Sequence, residues 1–210
     1  MSDRKIRIGV IGTGAIAHAA HFPALQAMPD AEIVGVLGST KEKSEAAAKR
    51  YGIPCAAGSL DELLRQDLDA ALLLTPKTVR GQYLAPLLDA KLDVLVEKPL
   101  ASTLRECEEL ADISAKSEQI VMVAFNRRFS PLNQKGIEAF AGKIPHLMVA
   151  SKSREFKEYR ATLENAIHMV DMMRYVMGER MTRCVQCVHT PTRSGSRSPV
   201  QRPISTFTMH

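Results

Sequence analysis

The sequence predicts an α/β fold, in which an N-terminal doubly wound parallel sheet is followed by an incomplete α+β second domain. Two observations lead to this prediction. Short apolar runs of strand length alternate with helical segments from residue 6 to residue 125, an alternation typical of parallel βα units. Beyond residue 126 the alternation is lost, and two short strand patterns flank one long helical segment.

The first apolar run ends in a glycine loop, Gly12-Thr13-Gly14, and restarts as a helical pattern over 17–28. Gly12 allows a sharp turn out of the strand, Gly14 allows a pyrophosphate to approach the backbone, and small Ala17 allows the helix to pack closely. The free N–H groups at the start of the helix would face the phosphates. A plain tight turn is the alternative. The predicted cofactor contacts in this loop are Gly12, Gly14, Ala15 and Ile16.

The remaining elements follow from periodicity and from helix start and stop signals. Two helix starts carry the capping-box pattern, Ser59 with Glu62 and Thr103 with Glu106. The predicted strands are 32–37, 69–75, 93–96, 119–125, 146–151 and 183–188. The predicted helices are 44–51, 59–65, 79–90, 103–116, a segment ending near 140, and 160–177. The expected regions are a Rossmann dinucleotide-binding domain over 1–125, a partial α+β domain over 126–190, and a tail over 191–210 whose Pro, Ser, Thr and Arg content predicts disorder.

The end of the second strand bears on the choice of dinucleotide. An NAD site carries an acidic residue there to accept hydrogen bonds from the ribose hydroxyls. Gly38 occupies that position here, and Ser39, Thr40 and Lys43 follow it. Hydroxyl groups and a lysine suit the 2′-phosphate of NADP, so we expect NADP, with NAD as the alternative.

Composition argues against several classes of function. Five of the 28 basic residues lie within 180–210, which holds no acidic residue, so 23 basic residues balance 23 acidic ones over the rest of the chain. Zero net charge over residues 1–179, together with the absence of Trp, argues against nucleic-acid binding. No apolar run approaches the roughly 18 residues that span a bilayer, and no signal-peptide pattern precedes the first strand. We therefore expect no membrane association and a cytoplasmic location, which the four scattered cysteines also favour.

Two groups of residues have the chemistry of a catalytic site. The strand 93–96 delivers Glu97 and Lys98 to the carboxyl edge of the sheet, where a lysine near a cofactor can act as an acid or base. On the helix 160–177, Glu164, His168 and Asp171 share one face at i, i+4 and i+7. Solvated surface charge and a structural histidine are the alternatives. A metal site is not expected, because no further cluster of ligands accompanies this row.

Together these residues resemble the Gfo/Idh/MocA oxidoreductase family, which includes glucose-fructose oxidoreductase and inositol dehydrogenases. The resemblance runs from residue 6 to about residue 178. It is carried by the GxGxxA loop, Thr75-Pro76, the run Val94 to Leu100 with Glu97-Lys98-Pro99, Phe125-Asn126-Arg127-Arg128-Phe129, and His168-x-x-Asp171 before Gly178.

The resemblance implies an NAD(P)-dependent oxidoreductase that acts on a sugar, inositol or related polyol, in a family whose members are typically homo-oligomers. It implies that Lys98 is the catalytic or substrate-positioning lysine and that His168 takes part in proton transfer, with Glu164 orienting it. Glu97 and Lys98 would also contact the cofactor, and Thr75 and Pro76 would lie near the nicotinamide half.

Several positions depart from the family pattern. Glu164 stands where the family usually has Asp, Lys77 where Asn is common, and Arg80 where His is common. The chain also lacks the long C-terminal region that completes an open, mostly antiparallel sheet in family members. We therefore expect a truncated form, and a non-catalytic dinucleotide-binding protein is the alternative function.

Overall fold

The computed structural model describes residues 4–143, 147–150, 166–177, 183–186 and 205–208. The chain divides into two compact units, Met1–Ala124 and Phe125–His210. The strands of the first unit are β1 (Ile6–Ile11), β2 (Ala31–Leu37), β3 (Cys55–Ala57), β4 (Ala70–Leu73), β5 (Asp93–Val96) and β6 (Val121–Val123). Its helices are α1 (Phe22–Gln26), α2 (Lys41–Tyr51), α3 (Leu60–Leu64), α4 (Gly81–Asp89) and α5 (Leu104–Ala115).

Within residues 4–124 the six strands form one parallel sheet in the order β3-β2-β1-β4-β5-β6. This confirms the predicted doubly wound sheet. The order reverses between β1 and β4, because the chain leaves β1 toward β2 and later returns to the other side of β1. In open parallel sheets such a reversal opens a crevice at the carboxyl ends of the strands, where ligands bind.

The sheet is buried on both faces, because successive residues of the central strands enter two different cores. Val10 and Val36 belong to one cluster, with Phe22, Ala47 and other residues of α1 and α2. The residues that follow them on the strands belong to the other cluster, with leucines of α3, α4 and α5. Because successive side chains of a strand point to opposite faces, a strand buried on both faces reads as one continuous apolar run.

Two strand glycines make room for α3. A Cβ atom added at Gly35 would lie 2.5 Å from Leu63 Cδ1, and one added at Gly9 would lie 2.7 Å from Leu68 Cδ1. Leu63 is fully buried. The missing side chains on β1 and β2 therefore form a recess that Leu63 and Leu68 fill.

Apart from shifts of a few residues at element ends, such as the start of α2 at Lys41 and not at residue 44, the structure differs from the predicted elements of the first unit in two places. The strand β3 was missed, since Cys55-Ala56-Ala57 contains no β-branched or aromatic residue; parallel pairing with β2 makes it a strand. The helix predicted over 17–28 is interrupted by a π-helical turn, Ala17–His21, before α1. Pro23 follows that turn and has no N–H to continue the regular ladder.

The described elements of the second unit are a 3₁₀ turn (Asn126–Phe129), α6 (Pro131–Ala139), α7 (Ile167–Met177), and the antiparallel pair β7 (Arg183–Gln186) and β8 (Ser205–Thr208).

Two predictions for this unit are wrong in their described parts. Residues 147–150, which alternate like a strand, have no regular structure, because no described strand pairs with them. The tail 191–210 was predicted to be disordered, yet Ser205–Thr208 pairs with β7, since its Thr and Phe residues favour a strand once a partner is present. Residues 160–165 of the predicted helix lie outside the described residues.

Candidate functional site

The glycine loop lies at the point where the strand order reverses. Gly12 has a φ of +107°, and its N–H donates to the carbonyl of Leu37 at 2.8 Å. A Cβ atom there would lie 2.8 Å from the carbonyl carbon of Leu74. Only glycine fits both the backbone angle and this contact between the ends of β1 and β4.

Gly14 has different surroundings. A Cβ atom at this position would meet no protein atom within 4 Å. The next residues, Ala15 and Ile16, are exposed, although Ile16 is a large apolar side chain with 45% of its surface accessible. The N–H groups of a helix's first turn have no partner within the helix. The loop therefore offers open space, free backbone donors and an apolar cover to a ligand.

Glu97 and Lys98 follow β5 at the same edge. One carboxylate oxygen of Glu97 lies 2.9 Å from His21 Nε2, in the π-helical turn, and the other accepts from the N–H of Lys98 at 3.0 Å. Burial raises the pKa of Glu97, but the hydrogen bond and charge of His21, with the N–H of Lys98, outweigh it and hold the pKa below its ordinary value. The ionised carboxylate thus joins the segment after β5 to the turn after β1.

Arg80, at the start of α4, lies among these residues, and the sequence patterns did not place it in the candidate site. It is 4% exposed, and its guanidinium donates to three backbone carbonyls, those of Thr75 (3.0 Å), Glu97 and Pro99. Burial lowers its pKa to about 10, and the negative charge of Glu97 counteracts part of that effect. Two sequence signals pointed to this position: Arg80 is a charged residue between the end of a buried strand and an apolar helix, and it stands where the family commonly has His.

Thr75 and Pro76 follow β4 at this edge. The Thr75 side chain is buried, and its hydroxyl has no hydrogen-bond partner among the described residues. Pro76 is exposed. A buried hydroxyl without a protein partner is costly, so this group fits a ligand atom that completes its hydrogen bond.

The loop after β2 and the first turn of α2 hold the predicted phosphate contacts. The Lys43 ammonium donates to Ser39 Oγ at 3.0 Å, and both residues are exposed. Thr40 is already engaged as the N-cap of α2, because its hydroxyl accepts from the N–H of Lys43 and interacts with the carboxylate of Glu42. Ser39 and Lys43 are therefore the better placed pair.

These features fit a dinucleotide along the carboxyl edge of the sheet. Gly12, Gly14, Ala15 and Ile16 suit the pyrophosphate, Ser39 and Lys43 the adenosine ribose, and Thr75, Glu97 and Lys98 the other half. Among the residues that the structure describes, no group of three or more His, Cys, Asp and Glu side chains is arranged to hold a metal ion. In the same parts of the chain, no helix has both the length and the apolar character needed to cross a membrane.

In the second unit, His168 and Asp171 are buried on α7. Arg128 pairs with the Asp171 carboxylate, with its Nε 2.9 Å from Oδ2, and its guanidinium carbon lies 4.9 Å from the centre of the Tyr175 ring. The hydrogen bond to Asp171 raises the pKa of Arg128. The His168 ring meets Phe125 edge to face at 6.4 Å. Asp171 therefore fixes the 3₁₀ turn to α7, while Glu164 lies outside the described residues.

A comparison with family models decides the family. The model for an oxidoreductase family with an NAD-binding Rossmann fold, Gfo/Idh/MocA, matches residues 6–125. The chain belongs to this family. The match spans the sheet and all four segments that carry the predicted cofactor contacts, and it confirms the resemblance inferred from the motifs.

Two dehydrogenases and a ketoreductase are similar to the chain. D-xylose 1-dehydrogenase (NADP(+)) 2 of Haloferax volcanii is 29% identical over 150 residues, covering 71% of this chain and 46% of that protein. Inositol 2-dehydrogenase 4 of Saccharopolyspora erythraea is 30% identical over 197 residues, covering 87% and 57%. The crystal structure of KijD10, a 3-ketoreductase from Actinomadura kijaniata, in complex with NADP superposes with a TM-score of 0.60 at 25% identity, covering 66% and 44%. The chain spans about half the length of the curated relatives it matches.

Proposed function

We propose that this Gfo/Idh/MocA chain belongs to an NADP-dependent oxidoreductase that moves a hydride between the nicotinamide and a hydroxyl-bearing carbon of a sugar, inositol or related polyol. The observation that carries the proposal is the arrangement at one edge of the sheet, where the open space beside Gly14 and the lysine after β5 both follow strand ends. The similarity to xylose and inositol dehydrogenases supports the substrate class. The bound nicotinamide would supply the hydride acceptor or donor.

In this proposal the Lys98 ammonium hydrogen-bonds to the reacting oxygen and holds it at the cofactor edge. His168 exchanges the hydroxyl proton, and Glu164 orients the imidazole. His168 is buried on α7, about one turn before Asp171, which pairs with Arg128. This position supports a fixed orientation of the His168 ring. The roles of His168 and Glu164 rest on the resemblance to the family.

The activity test follows nicotinamide absorbance with a panel of polyols and sugars. We expect turnover by the wild type and a loss of at least about 100-fold in Lys98→Ala, since a proton-transfer or positioning group contributes roughly 10²–10⁴ to the rate. Lys116→Ala is the matched control, because Lys116 is an exposed lysine just after α5. Unchanged turnover in Lys98→Ala would exclude the role of Lys98. Tight NADPH binding without turnover of any polyol would instead support the non-catalytic dinucleotide-binding alternative.

The preference for NADP is a second part of the proposal. No carboxylate ends β2, and the Ser39 hydroxyl with the Lys43 ammonium offers a charge-assisted site to the 2′-phosphate. A hydrogen bond to a charged group contributes roughly 1.5–3 kcal/mol, which corresponds to an affinity ratio of about ten- to 100-fold. We expect NADPH to bind more tightly than NADH by that ratio.

The cofactor test compares the dissociation constants of NADPH and NADH in Lys43→Ala and Lys41→Ala. Lys41 lies on the same helical turn, but its ammonium donates to the carbonyl of Ala56 and faces Glu62. We expect only Lys43→Ala to lose the preference. Ser39→Asp should reverse it, and is a cleaner change than Gly38→Asp, because a Cβ atom at Gly38 would lie 2.9 Å from Lys43 Cβ. Equal affinity of the wild type for both cofactors would refute the phosphate site.

A cytoplasmic location and a homo-oligomeric state belong to the same proposal. The location is supported by the two described cysteines, Cys55 and Cys107, which are free thiols, as a reducing compartment favours. The oligomeric state rests on the resemblance to the family, and light scattering of the purified chain measures it.

A further inference from the structure

We propose that Arg80 is a positioning residue for Lys98, because it joins the end of β4 to the peptide units on both sides of the lysine. A catalytic effect of Arg80 rests on the proposed function. Arg80 and its three carbonyl partners all lie in the first unit.

The hydrogen bonds of Arg80 bracket Lys98. The same Nη1 atom donates to the carbonyls of Glu97 and Pro99, the residues immediately before and after the lysine. Its Nε donates to the carbonyl of Thr75 at 3.0 Å. One planar group thus fixes the distance between the cofactor-facing end of β4 and the backbone that carries Lys98.

Glu97 holds the same segment through a different group. The N–H of Lys98 donates to Glu97 Oε2 at 3.0 Å, and Glu97 Oε1 pairs with His21 at 2.9 Å. The N–H of Lys98 and the carbonyls of both its neighbours are therefore all hydrogen-bonded. The backbone on both sides of Lys98 is therefore held in place.

An arginine suits this task better than a lysine. Its guanidinium is planar and presents several donors in a fixed geometry, so it can reach carbonyls on two segments at once, whereas an ammonium is a compact charge on a flexible stem. The charge is buried, and a buried charge persists only where hydrogen bonds and opposite charge compensate it. The three carbonyls and the nearby Glu97 carboxylate supply that compensation.

The experiment uses Arg80→Lys, which keeps the charge but loses the planar group, with Arg80→Gln as a second variant. Arg7→Lys is the matched control. Arg7 also donates to two carbonyls, of Asp67 at 2.7 Å and Gln66 at 2.8 Å, but it lies near the beginning of β1, away from the carboxyl edge. Both arginine-to-lysine changes remove hydrogen bonds to backbone carbonyls. A loss that both variants share reflects lower stability, whereas a loss seen only in Arg80→Lys reflects a misplaced Lys98 segment.

Two measurements on the full chain give the result. In hydrogen exchange followed by mass spectrometry, Arg80→Lys is expected to accelerate exchange over residues 97–101 about tenfold or more, while Arg7→Lys leaves that segment unchanged. In steady-state kinetics, Arg80→Lys is expected to lower kcat by about ten- to 100-fold with KM for NADPH within about twofold, since small misplacements of a reacting group cost rates of that order.

The outcomes are distinguishable. Exchange over 97–101 that is the same in Arg80→Lys and wild type overturns the positioning role, whether or not any polyol is turned over. Where the wild type turns over a polyol, a kcat in Arg80→Lys and Arg80→Gln equal to that of Arg7→Lys also overturns it. A wild type that turns over no polyol overturns the proposed function, while the exchange result still decides whether Arg80 anchors the Lys98 segment.

Discussion

Gly12 and Gly14 stand two residues apart in the loop after β1, but they are constrained by different partners. Gly12 is held by the protein itself, through its positive φ and its contact with the end of β4. Gly14 has open space where a side chain would be. If the pyrophosphate occupies that space, Gly14 is required by the cofactor and not by the fold.

We therefore expect Gly14→Ala to weaken NADPH binding at least about tenfold and to leave the free energy of unfolding within about 0.5 kcal/mol. Gly12→Ala should instead destabilise the chain by about 1–3 kcal/mol, because the backbone angle is strained for alanine. Isothermal titration and urea unfolding measure the two quantities. Full NADPH affinity in Gly14→Ala would show that the phosphates do not approach this backbone.

The carboxylate of Glu97 makes stability depend on pH. Its pKa is lowered in the folded chain, so it stabilises the fold above its ordinary value of 4.5, and this contribution is lost as the pH falls through the folded-state pKa. Glu97→Gln should cost roughly 1.5–3 kcal/mol at neutral pH, where a hydrogen bond to a charged group is removed. Urea unfolding at a series of pH values should show that difference shrinking in acid.

Glu109→Gln serves as the control for that experiment. Glu109 pairs with Arg105 one turn away on an exposed helix face, and such pairs contribute about 0.3–0.5 kcal/mol. A constant gap between wild type and Glu97→Gln down to pH 3 would contradict a stabilising role for the ionised carboxylate of Glu97.

At this scale the sequence predicted that residues which follow a strand end, such as Gly12, Thr75 and Lys98, lie at one edge of the sheet. The prediction was possible because the carboxyl ends of parallel strands meet at the same edge. The sequence did not predict Arg80 or the pairing of His21 with Glu97. The contacts of Arg80 with Glu97 and Pro99 and that of His21 with Glu97 join residues 17 to 76 positions apart, and nothing in a local pattern specifies a partner at that distance.

At the scale of elements, α5 has the most complete start of the described helices. Thr103 Oγ1 accepts from the N–H of Glu106 at 3.2 Å, and the Glu106 carboxylate accepts from the N–H of Thr103 at 3.1 Å. Thr103→Ala should cost about 1 kcal/mol of unfolding free energy, while Thr103→Ser keeps the oxygen and should cost much less. Denaturant unfolding followed by circular dichroism compares them. Equal stability of the Ala and Ser variants would mean that the cap contributes nothing.

The capping pattern was a better predictor of where a helix begins than of how its side chains are used. At α3 the Ser59 hydroxyl accepts from the N–H of Glu62 as predicted. The Glu62 carboxylate instead accepts from the N–H of Gly58 and faces Lys41. Gly58 and Lys41 therefore engage the Glu62 carboxylate, and neither residue belongs to the capping motif.

At the scale of the whole molecule, the alternation of apolar strands and amphipathic helices was enough to predict the parallel sheet of the first unit. The signal is strong because strands buried on both faces are apolar throughout. The second unit carries weaker signals. Its β7 and β8 lie about 20 residues apart and stabilise each other by pairing, so the composition of the tail alone could not predict a strand at 205–208.

The recess formed by Gly9 and Gly35 also constrains how the chain can change. Gly35→Ala alone should overpack the core against Leu63 and cost about 1–3 kcal/mol, and Leu63→Ala alone should leave a cavity that costs about 2–5 kcal/mol. The double variant should be more stable than the sum of the two losses predicts, which a double-mutant cycle measures. Additive losses would mean that the two positions are independent. A compensating pair of this kind couples two positions that are 28 residues apart in the sequence: the cost of a methyl group at position 35 depends on the size of the residue at position 63.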